Sequence, residues 1–314
     1  MTHQNPFDPE LHGGVQFHHP EISDVQERAA KVRFRIKGEK HGPIYQGSQL
    51  YQPCIGCGHA PQPPFVSRKP KKFRIHEARS ERAIVIPWLS TAAVWSELKY
   101  CLRAIESFWS DRECPIYVIG DAAPEWFQPG GRVQHIVIPE YQQSKEAGLY
   151  EAFQLGMQIA REVAWFNDDI YLLRPTGFED LRVALTEGSL MHIAAELRAS
   201  STVWRKALGE AVAELKLRGH DEVMRFATHT PFLFEREKSQ EIFREFFLHH
   251  KGSWVTLYHN FHRTPHTPAG PHKVLSLPTG SRVARFLNHR HAGPDPRTRR
   301  ELEKMLDAAA PWEL

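Results

Sequence analysis

The chain has 314 residues, 41% hydrophobic and 25% charged, a balance that supports a folded core and excludes global disorder. Forty basic against 37 acidic residues leave a net charge of +3, which excludes nucleic-acid binding through charge alone. Four cysteines are too few for a disulfide scaffold, no run approaches 18 apolar residues, and the first 14 residues lack the apolar stretch of a secretory signal. A cytoplasmic, reduced protein without a membrane span is therefore expected.

Residues 1–80 are rich in Pro, His, Gly and basic side chains and form the first expected region, an irregular extension. It carries one alternating strand, 32–36 (Val-Arg-Phe-Arg-Ile). Four prolines in 61–72 forbid a helix there and imply an extended arm. Cys54 and Cys57 have zinc-ligand spacing, with His41 or His76 to complete a structural Zn²⁺ site; a Gly-rich turn with two free thiols is the alternative.

The pattern changes near residue 81, where a second region, 81–275, begins. Short buried strands are expected at 83–86, 115–119, 133–138 and 163–166. A helix at 96–109 has Leu98, Cys101, Leu102, Ile105 and Phe108 on one stripe, and a second runs from an N-cap at Ser144 to residue 162. Further on come a strand at 190–195, a helix at 203–217, a strand at 232–234, and a helix with Ile242, Phe243, Phe246 and Phe247 inward. From Tyr258 the chain reads as irregular. The third region, 276–314, is a basic tail with a short helix at 298–309. Alternating strands and helices predict an α/β fold with a mostly parallel sheet and helices on both faces. Ligands of such sheets bind at the carboxyl ends of the strands, near the topological switch point.

Asn167-Asp168-Asp169 follows directly on a predicted strand and leads into Ile170-Tyr171-Leu172-Leu173. On an extended chain Asn167 and Asp169 share one face. Two oxygen ligands at that spacing suit Mn²⁺ or Mg²⁺, which bind through few carboxylates together with substrate phosphates. A solvated turn is the plainer reading of the same residues. The apolar flanks favour a cleft.

Glu97-Leu98-Lys99-Tyr100-Cys101-Leu102-Arg103-Ala104-Ile105, Ile116 to Asp121 followed by Pro124-Glu125-Trp126, and Trp165 to Tyr171 together resemble motifs of the Stealth family of sugar-1-phosphate transferases. The likeness covers roughly residues 83–175. The first-strand Asp-Gly pair of that family is absent, since Leu89-Ser90 follow Trp88. The resemblance thus implies a GT-A-like nucleotide-sugar glycosyltransferase, with Stealth-type phosphosugar transfer as the alternative; Cys54, Cys57 and the basic tails offer a second alternative, a zinc-stabilised nucleic-acid-binding protein. The donor is a nucleotide sugar, UDP-linked first; the acceptor is a glycan or a modified nucleic acid.

The roles expected on this reading are specific. Asn167, Asp169 and His259 hold the metal. Lys99, Arg103, Asp121 and Trp88 contact the donor, although Lys99 and Arg103 equally suit a solvated helix face and Asp121 a turn cap. Asp168 meets the sugar or ribose, and His229 or Glu196 manages the acceptor proton.

Overall fold

The structure is a computed structural model and describes residues 15–18, 33–36, 80–138, 145–246, 254–277, 284–289 and 293–313. The chain divides into two compact units, Met1–Ile75 and His76–Leu314. In the first, β1 (Val15–His18) pairs antiparallel with β2 (Arg33–Ile36), Val15 opposite Ile36. β2 is the strand expected at 32–36. Cys54, Cys57, the proline-rich arm, Ser144, Phe247 and the basic residues Arg282 and Arg290 lie outside the described residues.

The second unit begins with β3 (Ser80–Trp88), α1 (Glu97–Phe108), β4 (Ile116–Gly120), β5 (Val133–Val137), α2 (Lys145–Ile159), β6 (Ala160–Trp165) and β7 (Ile170–Leu172). It continues with β8 (Ala184–Thr186), α3 (Ala194–Arg198), α4 (Val203–Leu217), β9 (Phe232–Glu235), α5 (Arg236–Glu245) and α6 (Trp254–Phe261). It closes with β10 (His266–Pro268), β11 (Lys273–Val274), β12 (Phe286–Asn288) and α7 (Pro296–Met305).

The main sheet has the order β5-β4-β3-β6-β9, and only β9 runs antiparallel. This is the mostly parallel α/β architecture expected from the alternation. Both faces of the sheet are covered, which is why β3 and β4 read as unbroken apolar runs. Alternate residues of β3 serve two cores. Ile84, Ile86 and Trp88 pack with Leu98, Leu102 and Ile105 of α1, while Ala83 and Val85 pack with Phe153 and Met157 of α2 and with Phe234 and Trp254. Each Val, Leu, Ile, Phe or Met side chain among these, fully buried, contributes about 1.5–3 kcal/mol. Two smaller sheets flank this body: β7 pairs antiparallel with β12, which pairs parallel with β11, and β8 pairs parallel with β10. Among the described residues no helix is long and apolar enough to cross a membrane.

Strand order reverses at β3. β4 and β5 build to one side of it, β6 and β9 to the other. The carboxyl ends of β3 and β6 thus flank the topological switch point, where sheets of this kind bind ligands. Gly120, last in β4, marks how tightly that edge is drawn. A Cβ there would stand 2.0 Å from the Trp88 carbonyl oxygen. The obstacle is backbone and cannot rotate away. Gly120→Ala is expected to cost about 3 kcal/mol or more, read as a fall in midpoint of urea unfolding. An unchanged midpoint would contradict the close approach.

Three expectations need correction. α2 ends at Ile159 and β6 starts at Ala160, so helix passes into strand with no loop between and the boundary falls three residues before the expected one. Residues 190–195 form no strand: Met191–Ile193 is a 3₁₀ turn leading into α3, and only Leu190 of this stretch packs fully inward. Beyond Tyr258 the described residues include the end of α6 and three short strands. From Trp254 to Asn260 every residue of α6 is buried, and a helix buried all round shows no amphipathic stripe.

Candidate active site

β6 delivers the acidic triplet to the carboxyl end of the sheet. Phe166 N donates to Val85 O at 2.9 Å, prolonging the pairing with β3 by one residue, and Ile170 N then donates to Asn167 O at 3.2 Å. The triplet is therefore a turn, after which β7 joins a different sheet. The expectation that Asn167 and Asp169 share a strand face fails here, because the backbone is no longer extended. Yet this is not a solvated tip. All three residues are partly buried, and Phe166 and Ile170 on either side are fully so.

α1 supplies the floor. Cys101 Sγ lies 3.6 Å from Asn167 O. Burial pushes its thiol well up, and the charges of Asp168 and Asp169 add to this, so it is an inert packing group. One turn earlier the buried Glu97 accepts from Val94 N at 2.9 Å and Trp95 N at 2.8 Å, tying down the segment that enters α1. His289, buried after β12, places its Nε2 4.0 Å from Glu97 Oε1. Burial holds the Tyr171 hydroxyl far above its ordinary range, with Cys101, Asp169, Glu97 and Asp168 around it.

The two aspartates are treated oppositely. Asp168 is pushed up to about 7, first by burial, then by the charges of Asp169 and Glu97; Lys145 pulls the other way. Burial would raise Asp169 too, but His229, the charge of His289 and the Asn288 amide outweigh it and hold that carboxyl below its usual range. Asn288 Nδ2 donates to Asp169 Oδ2 at 2.6 Å and to its backbone oxygen at 3.2 Å. His229 Nδ1 stands 3.6 Å from the same Oδ2. Oδ1 is shut from solvent and has no hydrogen-bond partner among the described residues.

His229 reaches this place at a conformational cost. Its φ is +47°, the left-handed region that side chains with a Cβ rarely occupy. The loop enforces it: Thr228 and Thr230 share a buried hydroxyl–hydroxyl bond of 2.6 Å, and Lys273 Nζ donates to Thr228 O. Burial lowers the Lys273 ammonium, with Glu187 and Asp169 opposing. His229→Asn is expected to keep the fold, since Asn tolerates this region, and His229→Gly to raise stability by about 0.5–1 kcal/mol. Urea unfolding checks both; a destabilised glycine variant would show that the imidazole, not the backbone, holds the loop.

The remaining expected site residues are dispersed. Trp88 is 5% exposed and its Nε1 donates to Ala122 O at 2.9 Å, so the indole is pinned against the loop after β4. Asp121 accepts from Ser90 N and Oγ at 2.9 and 2.6 Å, joining the loops after β3 and β4; these bonds outweigh burial and lower its carboxyl. Lys99 and Arg103 turn instead to Glu313, Lys99 Nζ at 2.8 Å and Arg103 Nε at 2.5 Å. That carboxylate already occupies the donors expected to meet a diphosphate. Glu196 is exposed on α3. His259 sits in an aromatic core between Phe226, Phe232 and Phe234, bonded through Nδ1 to Thr264, and burial drops it to about 3. Of the expected set, the structure brings only Asn167, Asp168, Asp169 and His229 together. Glu97, Asn288, His289 and Lys273 join them without having stood out in the sequence. Asn288 ends a three-residue strand, too short to register as one, and His289 follows it; the only signal was a polar pair after Phe286-Leu287.

No family model matches the chain, and no curated protein matches it. Among solved structures, the chain is similar to the galactosyltransferase LgtC in complex with donor and acceptor sugar analogs, at 12% identity and a TM-score of 0.43, over 73% of this chain and 98% of that one.

Proposed function

We propose that this chain is a GT-A-like glycosyltransferase that moves a sugar from a nucleotide-sugar donor, bound with Mn²⁺ or Mg²⁺, to a hydroxyl acceptor. The observation that carries the reading is Asp169: a carboxylate at the switch point, one oxygen fixed by Asn288 and His229, the other buried without a donor. A cation at Oδ1 would supply the missing partner, so the residues fit the ion. Among the described residues no three His, Cys, Asp or Glu side chains converge as a complete metal site. A cation at this turn would be held by one or two side chains and completed by substrate phosphates. Asp169 and Asn167 would hold it, and it would offset charge on the departing nucleotide diphosphate. Asp168 would face the sugar as a carboxyl that burial pushes up to about 7. His229 is placed to take the acceptor proton or to clamp a phosphate. Lys273 adds positive charge beside Asp169.

Thermal-shift screening of UDP-sugars with and without Mn²⁺, with analysis of released nucleotide, tests the reading. The expected result is stabilisation by one donor only when Mn²⁺ is present, about 2.7 kcal/mol at a hundredfold excess over Kd, and release of UDP. Equal stabilisation without metal would remove the cation from the account, and release of UMP would turn it into phosphosugar transfer.

A further inference from the structure

Asn288 touches Asp169 twice, and the backbone arranges this before any side chain is placed. In the β7–β12 ladder Asn288 lies opposite Ile170, the residue after Asp169. The register therefore puts the amide beside both the carbonyl and the carboxylate of Asp169, which it reaches at 3.2 and 2.6 Å. Asn288 is itself only 4% exposed. A group bonded at once to the main-chain oxygen and the side-chain oxygen of one residue closes a ring through that residue's χ1. It selects one of the three staggered wells open to an aspartate. With Oδ2 engaged, the carboxylate has a fixed sense, and Oδ1 is the oxygen left over.

We propose that Asn288 is a positioning residue, which locks the Asp169 rotamer so that Oδ1 is presented to the divalent cation and thereby sets cation affinity without ligating the ion. The inference rests on the cation reading above. It requires an amide at 288. A carboxylate there would meet Asp169 Oδ2 with a like charge at hydrogen-bonding distance, and an apolar side chain would leave Oδ2 free to rotate with the rest of the group. Partners of this kind, one shell out from a metal, typically change affinity by about 10–100-fold.

The test is a titration of Mn²⁺ into the full chain, with and without UDP, following free Mn²⁺ by electron paramagnetic resonance. Thermal melts of each variant report on the fold. Asn288→Ala is expected to weaken Mn²⁺ binding by about tenfold or more while melting within a few degrees of the parent. Asn288→Ser, which keeps one donor, is expected to fall between the two and serves alone if the alanine variant does not fold. Parent-like Mn²⁺ affinity in either folded variant would overturn the positioning role and leave the cation reading standing. Absence of Mn²⁺ binding by the parent, with or without UDP, would overturn both.

Discussion

Asp169→Ala is expected to lower turnover of sugar transfer by about 10³-fold at saturating donor and Mn²⁺, measured as UDP release. The size follows from where the charge sits. Asp169 is the one carboxylate of the turn that the site keeps ionised, through His229, His289 and Asn288 acting against burial. Asp168 beside it is pushed up to about 7 by burial and by the charges of Asp169 and Glu97, so it is the less ionised of the two. Removing the side chain also leaves the Asn288 amide only its longer bond to the Asp169 backbone oxygen, at a cost of about 1–3 kcal/mol, so melting should fall by a few degrees without loss of the fold. Asp169→Asn separates the effects: it keeps shape, removes charge, and should be as inactive as alanine. An Asn variant with near-parent turnover would mean that the anion is not what the reaction uses.

Glu313→Ala is expected to destabilise the protein by about 3–5 kcal/mol, the largest loss from any single polar substitution here. Glu313 accepts from Arg103 through Nε at 2.5 Å and Nη2 at 2.6 Å, and Lys99 adds a third contact at 2.8 Å. Arg103 further donates to Leu306 O at 2.6 Å. The carboxylate side chain is 4% exposed and that of Arg103 10%, so the variant would leave two cations without their counter-charge, one of them buried. Burial alone would raise the Glu313 carboxyl, yet hydrogen bonds from Arg103 and Lys99 bring it down to about 2, against an ordinary 4.5. A carboxyl depressed by folding stabilises fully above its unfolded value and progressively less below it. Its share, about 3 kcal/mol, is thus present above pH 4.5 and lost as pH falls toward 2. Urea unfolding of parent and Glu313→Gln across pH 2–6 checks this: the difference between them should shrink as the medium is acidified. A gap independent of pH would show that packing, and not charge, docks residues 306–313 on α1.

The fold was legible where hydrophobic periodicity was long or where a strand was buried on both faces. α1, α4, β3 and β4 announce themselves in this way. The acidic triplet was legible for a related reason, because three polar residues between apolar runs have few structural explanations. What the sequence hid were contacts between distant segments. Asp169 and Asn288 are 119 residues apart, and Arg103 and Glu313 are 210 apart. No local pattern says that a lone glutamate near residue 313 will claim the two cations of a helix that resembles a donor-binding motif. Nor does a histidine reveal its surroundings: His259 and His229 are equally conspicuous in sequence, yet one lies among aromatic rings and the other beside a carboxylate. α6 was missed because burial on every side erases the stripe by which helices are recognised.

Diffraction from crystals grown with Mn²⁺ and UDP, collected at the manganese absorption edge, tests the central claim most directly. An anomalous peak about 2.0–2.2 Å from Asp169 Oδ1, bridged to the UDP phosphates, is the result expected of a hard divalent ion at this turn. A peak elsewhere, or UDP ordered at the switch point with no manganese beside Asp169, would contradict it.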